Sequence, residues 1–404
     1  MSAPPAEASG ARRYAAVLAK PHMAPLMASA FVGRLPVAMH SLGMVLFLSH
    51  ETGSYAVAGA GTGAFAVAGG VSAPILGRII DRVGQTPVLV GCAIAFPASV
   101  AGLIAVAEST SSTLPIVACA ASTGLAFPPL FATLRALISS VAGALAETAF
   151  ALEAMLQELF FILGPLLVAL IVAVASRQAA LLVAAFLTTV GTLAFAATKP
   201  SRRWRPSPPE ERHRGALASP GIRTILMTSV VDGMTFGSLE VALPAFAQRH
   251  GSSGTAGVML GTLAFGSLLG GFWYGAREWS RDPAELLVLF AWPLAAGLAS
   301  LSLASSVPAM FALLFVAGLF VAPSAAVSFA LVGRLAPSSA LTEAFTWLST
   351  AVTAGFAGGG VLAGLLVQHA SVKAALLATA CSAVLAATVI YLRRGTLAGA
   401  AGAG

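Results

Sequence analysis

The sequence predicts an all-α integral membrane protein in which twelve transmembrane helices form two bundles of six. Composition is the first observation behind this prediction. Of 404 residues, 58% are apolar and only 9% are charged, and the mean hydropathy is +0.90. Soluble globular proteins carry about 25% charged residues, so this chain has too little charge to cover the surface of soluble domains. The composition therefore argues against a soluble enzyme, a disordered chain and a disulfide scaffold.

The second observation is the number of long apolar stretches. A helix needs about 20 mostly apolar residues to cross the hydrocarbon core of a bilayer, and twelve stretches meet this requirement. They cover residues 22–48, 54–77, 86–107, 113–137, 147–175 and 178–198 in the first half, and 222–247, 254–276, 284–305, 308–332, 341–367 and 372–392 in the second. These stretches are too long for membrane strands and lack the alternation of polar and apolar residues that strands show.

Most Lys and Arg residues fall on one side of the predicted spans. With the N-terminus inside, eighteen lie on the cytoplasmic side, and only Arg177, Arg249 and Lys373 lie outside. This asymmetry satisfies the positive-inside rule, so we expect a multi-pass protein of the cytoplasmic membrane with both termini in the cytoplasm. The same loop residues produce the net charge of +7, which here indicates contact with membrane lipid and no nucleic-acid partner.

The third observation is a division of the chain into two similar halves. Residues 199–221 form a long hydrophilic connection rich in Pro, Arg and Ser, which predicts a solvated cytoplasmic linker between six spans (21–198) and six spans (222–394). Residues 1–20 and 395–404 are expected to be disordered. Offsets of 198 and 195 residues align positions in the two halves, among them Gly53 with Gly251, Gly63 with Gly261, Gly77 with Gly275, Pro128 with Pro323, and Phe150 with Phe345. Two parallel six-span repeats are typical of one large class of secondary transporter.

A short motif follows the second predicted span. It reads Gly77-Arg78-Ile79-Ile80-Asp81-Arg82-Val83-Gly84-Gln85 and resembles the G-x-x-x-D-R-x-G-R signature between spans two and three of the major facilitator superfamily. Gly77, Asp81, Arg82 and Gly84 match the signature, and Gln85 replaces its last basic residue. The resemblance extends over residues 15–394 and implies that superfamily's fold of two six-helix bundles. The Asp and Arg of such a loop can pair with helix termini and latch one transporter state.

Within the superfamily the chain is similar in overall character to actinobacterial-type exporters of drugs or metabolites. The span-five motif of many drug/proton antiporters is reduced here to Gly164-Pro165. The arginine that those proteins carry at the centre of span four is absent, since we place Arg135 at the cytoplasmic end of that span. Export is therefore implied by general resemblance rather than by these motifs.

Charged side chains inside the predicted spans are the main candidates for a functional site. Each costs about 2.5–3.5 kcal/mol at the bilayer centre on insertion scales, so its presence needs a reason. The candidates for binding substrate or coupling protons are the charged residues Arg34, Glu153, Glu158, Asp232 and Glu240, together with the polar residue Gln157. Glu343 opens span eleven.

The repeat places Arg34 of span one opposite Asp232 of span seven, and we expect them to approach in at least one state. Opposite charges about 4 Å apart attract by about 4 kcal/mol at an effective dielectric of 20, so a static structural pair is the alternative interpretation. Glu153 and Gln157 share one helix face, and Glu158 points about 140° away. Glu158 is the second candidate for proton coupling, whereas Glu153 suits pairing between spans. Glu240 is expected nearer the outer mouth.

An adaptable apolar pocket is a weaker prediction. Its candidate residues are Met39, His40, Phe127, Phe236 and Trp347, and each of them also fits ordinary helix packing.

No Walker-type phosphate loop, HExxH helix or metal-ligand spacing is present, and Cys92, Cys119 and Cys381 are solitary. We therefore predict no enzyme activity, no metal and no cofactor. The leading hypothesis is a secondary active transporter, acting as a monomer, that exports a small organic solute by alternating access in exchange for protons. Uptake or facilitated diffusion of a sugar, acid or other metabolite is the alternative, and a non-transporting receptor or scaffold is a remote one.

Overall fold

The computed structural model describes residues 10–110, 112–205, 215–250 and 255–398. Within these ranges the regular structure is helical, and twelve segments are long and apolar enough to cross a membrane. The predicted number of spans is therefore confirmed, with boundaries that differ from the predicted ones by a few residues. We number these segments span 1 to span 12.

The first six spans contain eight helices. A short helix α1 (Ala11–Ala19) precedes them and α10 (Lys199–Arg203) follows them. The spans are formed by α2 (Met23–Arg34) with α3 (Pro36–Thr52), α4 (Tyr55–Val83), α5 (Gln85–Ser109), α6 (Thr113–Leu125) with α7 (Leu130–Val141), α8 (Ala146–Val174) and α9 (Arg177–Ala197).

The last six spans contain seven helices, because span 7, unlike span 1, is a single helix. They are formed by α11 (Pro220–Arg249), α12 (Ala256–Gly275), α13 (Pro283–Ser300), α14 (Val307–Gly318) with α15 (Val321–Leu335), α16 (Leu341–His369) and α17 (Val372–Leu392), and a short helix α18 (Arg394–Leu397) follows. Spans 4 and 10, which correspond in the repeat, are both interrupted near their middles.

Each set of six spans packs mainly on itself, and the two sets meet through a few helices. Span 2 contacts span 11, span 5 contacts spans 8 and 10, and span 4 contacts spans 10 and 11. We call the two sets the first and second bundle. We call the end that carries Arg82, Lys199 and Arg277 the linker face, and the end that carries Glu51 and Arg249 the far face.

Proline explains the interruption of span 1. Its ring removes the backbone N–H that would bond the carbonyl four residues earlier, and α2 stops at Arg34 before Pro36 begins α3. In span 4, Phe127–Pro129 separates α6 from α7. Such breaks are tolerated at membrane depth where protein covers the freed backbone groups.

Glycines let spans 7 and 11 touch backbone to backbone. A Cβ atom at Gly233 or Gly237 would overlap main-chain atoms of span 11, and one at Gly355 or Gly359 would overlap main-chain atoms of span 7. Small residues at such spacing are the usual means of close helix approach in membranes. Other glycines of span 11 are not used in this contact, since Gly358 and Gly364 face open space.

Three local expectations differ from the structure. Residues 77–83 form the last turns of α4 rather than a loop, since the helix continues through Gly77 and ends only at Gly84, which adopts φ +98°. Residues 11–19, expected to be disordered, form α1, which buries Arg13, Tyr14 and Val17. The short helix α18 likewise lies in the tail expected to be disordered and buries Leu397. Residues 1–9, 206–214 and 399–404 lie outside the described residues.

Candidate substrate and coupling site

A cluster of buried charges joins spans 1, 4 and 5 of the first bundle. Arg34 Nη1 donates to Glu153 Oε1 at 2.6 Å. Arg135 donates to both oxygens of the same carboxylate at 3.2 Å and to Gln157 Oε1 at 2.8 Å. Glu153 is completely buried, Arg34 is 1% exposed and Arg135 is 4% exposed. One carboxylate therefore accepts hydrogen bonds from two guanidinium groups at membrane depth.

The local fold places Arg34 in this cluster. Gly33 and Gly191 let spans 1 and 6 approach closely: a Cβ atom at Gly191 would overlap the main chain of span 1, and one at Gly33 would overlap the Leu130 side chain and lie 3.2 Å from the main chain of span 6. The rings of Phe131 and Phe160 lie 4.6 and 5.1 Å from the Arg34 guanidinium carbon. Aromatic faces attract cations, more strongly where water is excluded, so the two rings help to hold the charge.

Arg135 belongs to this buried cluster, although the sequence does not predict it there. The expected position is the cytoplasmic end of span 4, but α7 continues to Val141 and the side chain turns into the bundle. The apolar run Ala136-Leu137-Ile138 after Arg135 was the signal that the span had not yet ended. Its guanidinium also lies 3.7 Å from the ring centre of Phe329, on span 10 of the second bundle.

The expected contact between Arg34 and Asp232 is not formed in this structure. Arg34 pairs with Glu153 in its own bundle, because span 5 rather than span 7 packs beside its side chain. Asp232 lies near the middle of α11, on the same helix face as the buried residues Ile225, Leu239 and Leu243, yet it is itself partly exposed. Among the described residues it has no hydrogen-bond or ion-pair partner.

Glu158 bridges the bundles at mid-membrane. Its Oε1 accepts a hydrogen bond of 2.9 Å from the hydroxyl of Ser267, on span 8. Glu158 is partly exposed, whereas Ser267 is buried. As helical spacing predicts, Glu158 therefore points away from the face that Glu153 and Gln157 share. Glu240, nearer the far face, is exposed.

A first contact between the bundles at the linker face involves the motif at the end of span 2. The Asp81 carboxylate, 5% exposed, accepts hydrogen bonds from the backbone N–H groups of Thr342 (3.2 Å) and Glu343 (2.8 Å). These groups form the N-terminus of α16, where unpaired donors and the helix dipole favour an anion. Arg78 adds an ion pair of 2.7 Å to Glu343. Arg82 is exposed.

The glycine of the same motif allows this contact. A Cβ atom at Gly77 would lie 2.6 Å from the hydroxyl oxygen of Thr346 and 3.1 Å from the Cα atom of Glu343. Only glycine therefore fits where span 2 crosses span 11. Gln85, at the start of α5, is buried and donates to the carbonyl oxygen of Thr133 at 3.4 Å, within the first bundle.

A second contact at the linker face involves α1, which reaches from the first bundle to the end of span 8. The Tyr14 hydroxyl donates to the carbonyl oxygens of Gly271 (2.7 Å) and Phe272 (3.0 Å). Arg13 pairs with Glu278, just beyond that helix. Burial raises the pKa of Tyr14, so its hydroxyl stays protonated and donates. From span 5, Thr148 donates to the carbonyl oxygen of Gly275 at 3.0 Å. Donors from the first bundle thus satisfy the C-terminus of α12.

The predicted pocket residues do not form one pocket. His40 lies between Phe65 and Phe96, with ring centres 4.8 and 5.3 Å away, and Phe127 belongs to the same aromatic cluster. Met39 packs instead with Val168 and Ala180 of spans 5 and 6. Phe236 and Trp347 lie against the largest apolar core, to which both bundles contribute residues. Adjacent positions on a helix face different neighbours, so the pocket hypothesis joined residues that the fold separates.

Sequence comparison identifies the family. The model of the Major Facilitator Superfamily matches residues 26–281 and, in an overlapping second match, residues 225–400. The chain belongs to the major facilitator superfamily. Its architecture is that of a transporter family rather than of an enzyme, as the sequence predicted. No curated protein sequence matches the chain.

Several solved transporters share this superfamily fold. A bacterial homologue of the iron transporter ferroportin, in an outward-facing state, superposes with a TM-score of 0.77 at 13% identity, covering 92% of this chain and 99% of its own. The human organic anion transporter TETRAN gives 0.72 at 16% identity with the same coverage. The Escherichia coli fucose:proton symporter gives 0.69 at 12% identity, again with 92% and 99% coverage. At such low identity the likeness shows the fold alone.

Proposed function

We propose that this protein is a secondary active transporter that exports a small organic solute across the cytoplasmic membrane in exchange for protons, working as a monomer by alternating access. The observation that supports proton coupling is Asp232. A carboxylate near the middle of a membrane helix, partly exposed and without a partner among the described residues, is free to gain and lose a proton during each cycle. Intramembrane carboxylates of this kind are the usual groups in proton relays.

The contacts between the bundles support alternating access. The cross-bundle hydrogen bonds of Asp81, Tyr14, Thr148 and Glu158 all lie between the linker face and mid-membrane. We assign the linker face to the cytoplasm, because it carries most of the Lys and Arg residues. The structure then represents a state closed to the cytoplasm, and two of the similar solved structures are also outward-facing or outward conformations.

In the proposed cycle, Asp232 takes up a proton from the outside in the state described here. Neutralising the carboxylate removes an unpaired charge from the membrane interior and lowers the free energy of the rearrangement that closes the outer side. The Glu158–Ser267 hydrogen bond and the linker-face contacts then break. Solute enters from the cytoplasm, and proton release from Asp232 to that side favours return.

Proton flux in everted vesicles tests this proposal. A pH gradient is established, and acidic, basic and neutral amphipathic compounds are added to vesicles with wild-type protein or with Asp232→Asn. The proposal predicts that at least one compound dissipates the gradient with wild type and not with Asp232→Asn. The matched control is Glu108→Gln, which removes an exposed carboxylate at the far end of span 3 and is expected to behave as wild type.

Other outcomes would contradict specific parts of the proposal. Equal responses of wild type and Asp232→Asn would show that Asp232 does not couple protons. Solute-driven proton movement in the opposite direction would indicate symport, and downhill tracer movement without proton flux would indicate facilitated diffusion.

A further inference from the structure

The Arg34–Arg135–Glu153 cluster has more positive charge than it neutralises. Two guanidinium groups share one carboxylate, and the remaining polar neighbour, Gln157, is uncharged. Of the other two carboxylates on this helix, Glu147 lies in its first turn, and Glu158 faces away and accepts a hydrogen bond from Ser267. The cluster therefore carries a formal charge of +1 at a depth where an uncompensated charge is costly.

Arg34 also has unused hydrogen-bond donors. Its Nε and Nη2 atoms are fully buried and have no partner among the described residues. Buried guanidinium N–H groups without acceptors are unfavourable, and their fixed fork matches the two oxygens of a carboxylate. An anion would satisfy both the missing charge and the missing acceptors.

The surroundings of the cluster are aromatic. Phe131 and Phe160 flank Arg34, and Phe31 packs on Phe160 with ring centres 5.1 Å apart. Phe31, Phe131 and Gln157 are partly exposed, so one edge of the cluster reaches the surface of the packed helices. This edge suits an apolar body attached to an anionic head.

The second bundle covers the cluster in the state described here. Phe329 of span 10, 7% exposed, lies on the Arg135 guanidinium at 3.7 Å and is attached to the other bundle. When the bundles separate at the linker face, Phe329 moves away with its bundle and Arg135 becomes accessible from that side. When the bundles close again at the linker face, the Phe329 ring would replace the solvent around Arg135.

We propose that Arg34 and Arg135 form the binding site for the carboxylate of an organic anion with an apolar or aromatic body, with Glu153 as the internal counter-ion. The substrate's carboxylate binds Arg135 when the linker face opens and reaches the free donors of Arg34, weakening the hold of Glu153 on both arginines. This inference rests on the proposed transport function and names the class of its substrate.

Binding to purified protein in nanodiscs, without any gradient, tests the site directly. The probes are benzoate and 2-naphthoate, their uncharged amides, and chloride alone, and the readout is ligand-dependent protection against thermal unfolding. We expect at least one carboxylate to bind about tenfold tighter than its amide, since one charged hydrogen-bond pair supplies about that factor. Chloride alone should not reproduce the protection.

Variants distinguish this site from other basic groups. Arg34→Lys keeps the charge but loses the planar fork, and we expect about a tenfold loss of carboxylate affinity with little change for the amide. The double variant Arg34→Gln with Glu153→Gln keeps the total charge of the cluster and removes the Arg34 guanidinium. It is used to measure the loss of carboxylate affinity if Arg34→Lys does not fold. Arg177→Gln, at an exposed position on the far face, should bind as wild type.

Three results would overturn the inference: equal affinity for acids and amides, carboxylate binding unchanged in both Arg34 variants, or full protection by chloride with nothing added by the organic acids. The outcome is separable from that of the proton-flux assay. Proton flux driven only by neutral or basic compounds would support the transport function and contradict the anion site. Carboxylate binding that depends on Arg34, without any transport, would support the binding site and contradict the proposed transport function.

Discussion

Replacing Asp81 by Asn should weaken the closed linker face by a calculable amount. The carboxylate accepts two hydrogen bonds from the N-terminus of α16 and is 5% exposed. Hydrogen bonds to charged groups contribute about 1.5–3 kcal/mol, against about 1 kcal/mol for neutral ones, and an anion at a helix N-terminus adds up to about 2 kcal/mol in buried sites. Asn keeps one neutral acceptor, so we expect a loss of about 2 kcal/mol, or about a 30-fold increase in the population open at the linker face.

Cysteine labelling measures that population. In a background in which Cys92, Cys119 and Cys381 are replaced, Thr148→Cys gives a single thiol at a position that is completely buried between the bundles. Its reaction with N-ethylmaleimide requires opening, so the rate reports the open fraction. The rate should rise about 30-fold when Asp81→Asn is added, unless the open state already exceeds a few per cent.

Asp282→Asn is the matched control. Asp282 also accepts a hydrogen bond at a helix N-terminus, from the N–H of Ala284 at 2.8 Å, and pairs with Arg334 at 2.7 Å. All of these residues belong to the second bundle, so labelling at position 148 should not change. An unaltered rate in Asp81→Asn, or an equal increase in Asp282→Asn, would refute the argument that the cross-bundle cap holds the linker face closed.

Three further predictions concern other contacts. Tyr14→Phe keeps the ring but removes a hydroxyl donor that bonds span 8, so labelling at Thr148→Cys should rise up to tenfold, corresponding to about 0.5–1.5 kcal/mol; no increase would show that α1 does not hold the bundles together. The hydrogen bond and charge of Arg334 hold the pKa of Asp282 below its usual range, so its stabilisation is present above about pH 4 and is lost as the pH falls through the lowered value. The unfolding temperatures of wild type and Asp282→Asn should therefore differ slightly at pH 7, since the pair is exposed, and converge once the pH falls below the lowered pKa of Asp282; a constant difference over an acid titration would contradict this. Gly237→Ala should destabilise the fold by about 1–3 kcal/mol through overlap with span 11, whereas Gly358→Ala, which faces open space, should not, as thermal unfolding in detergent would show.

The general architecture of this protein could be predicted from local sequence properties. Each span is recognisable because the bilayer requires about 20 apolar residues in succession, and the Asp81 motif is recognisable because its residues are consecutive. Arg34 and Asp232 also lie in the first and seventh spans, as the apolar stretches predict. These features depend on residues that are neighbours in the chain or on simple counting.

Partner choice among the buried charges was decided by tertiary structure. Whether Arg34 meets Asp232 or Glu153 depends on how spans 1, 5 and 7 are rotated and how closely glycines such as Gly33 let them approach, and hydropathy carries no information about rotation. The position of Arg135 could not be predicted for a related reason. Hydropathy does not locate the end of a span whose last turns contain both polar and apolar residues.

The position of α1 is another feature that tertiary contacts decide and the local sequence does not predict. The sequence Ala11–Ala19 has too few apolar residues to span a membrane and lies in a region expected to be disordered, so nothing local predicts a fixed position. It is ordered because the end of span 8 offers carbonyl oxygens to Tyr14 and a carboxylate to Arg13. Sequence determined what must enter the membrane and how many times, since that depends on solvation of each segment. Only the packed structure determined which polar groups meet, since that depends on distances between segments far apart in the chain.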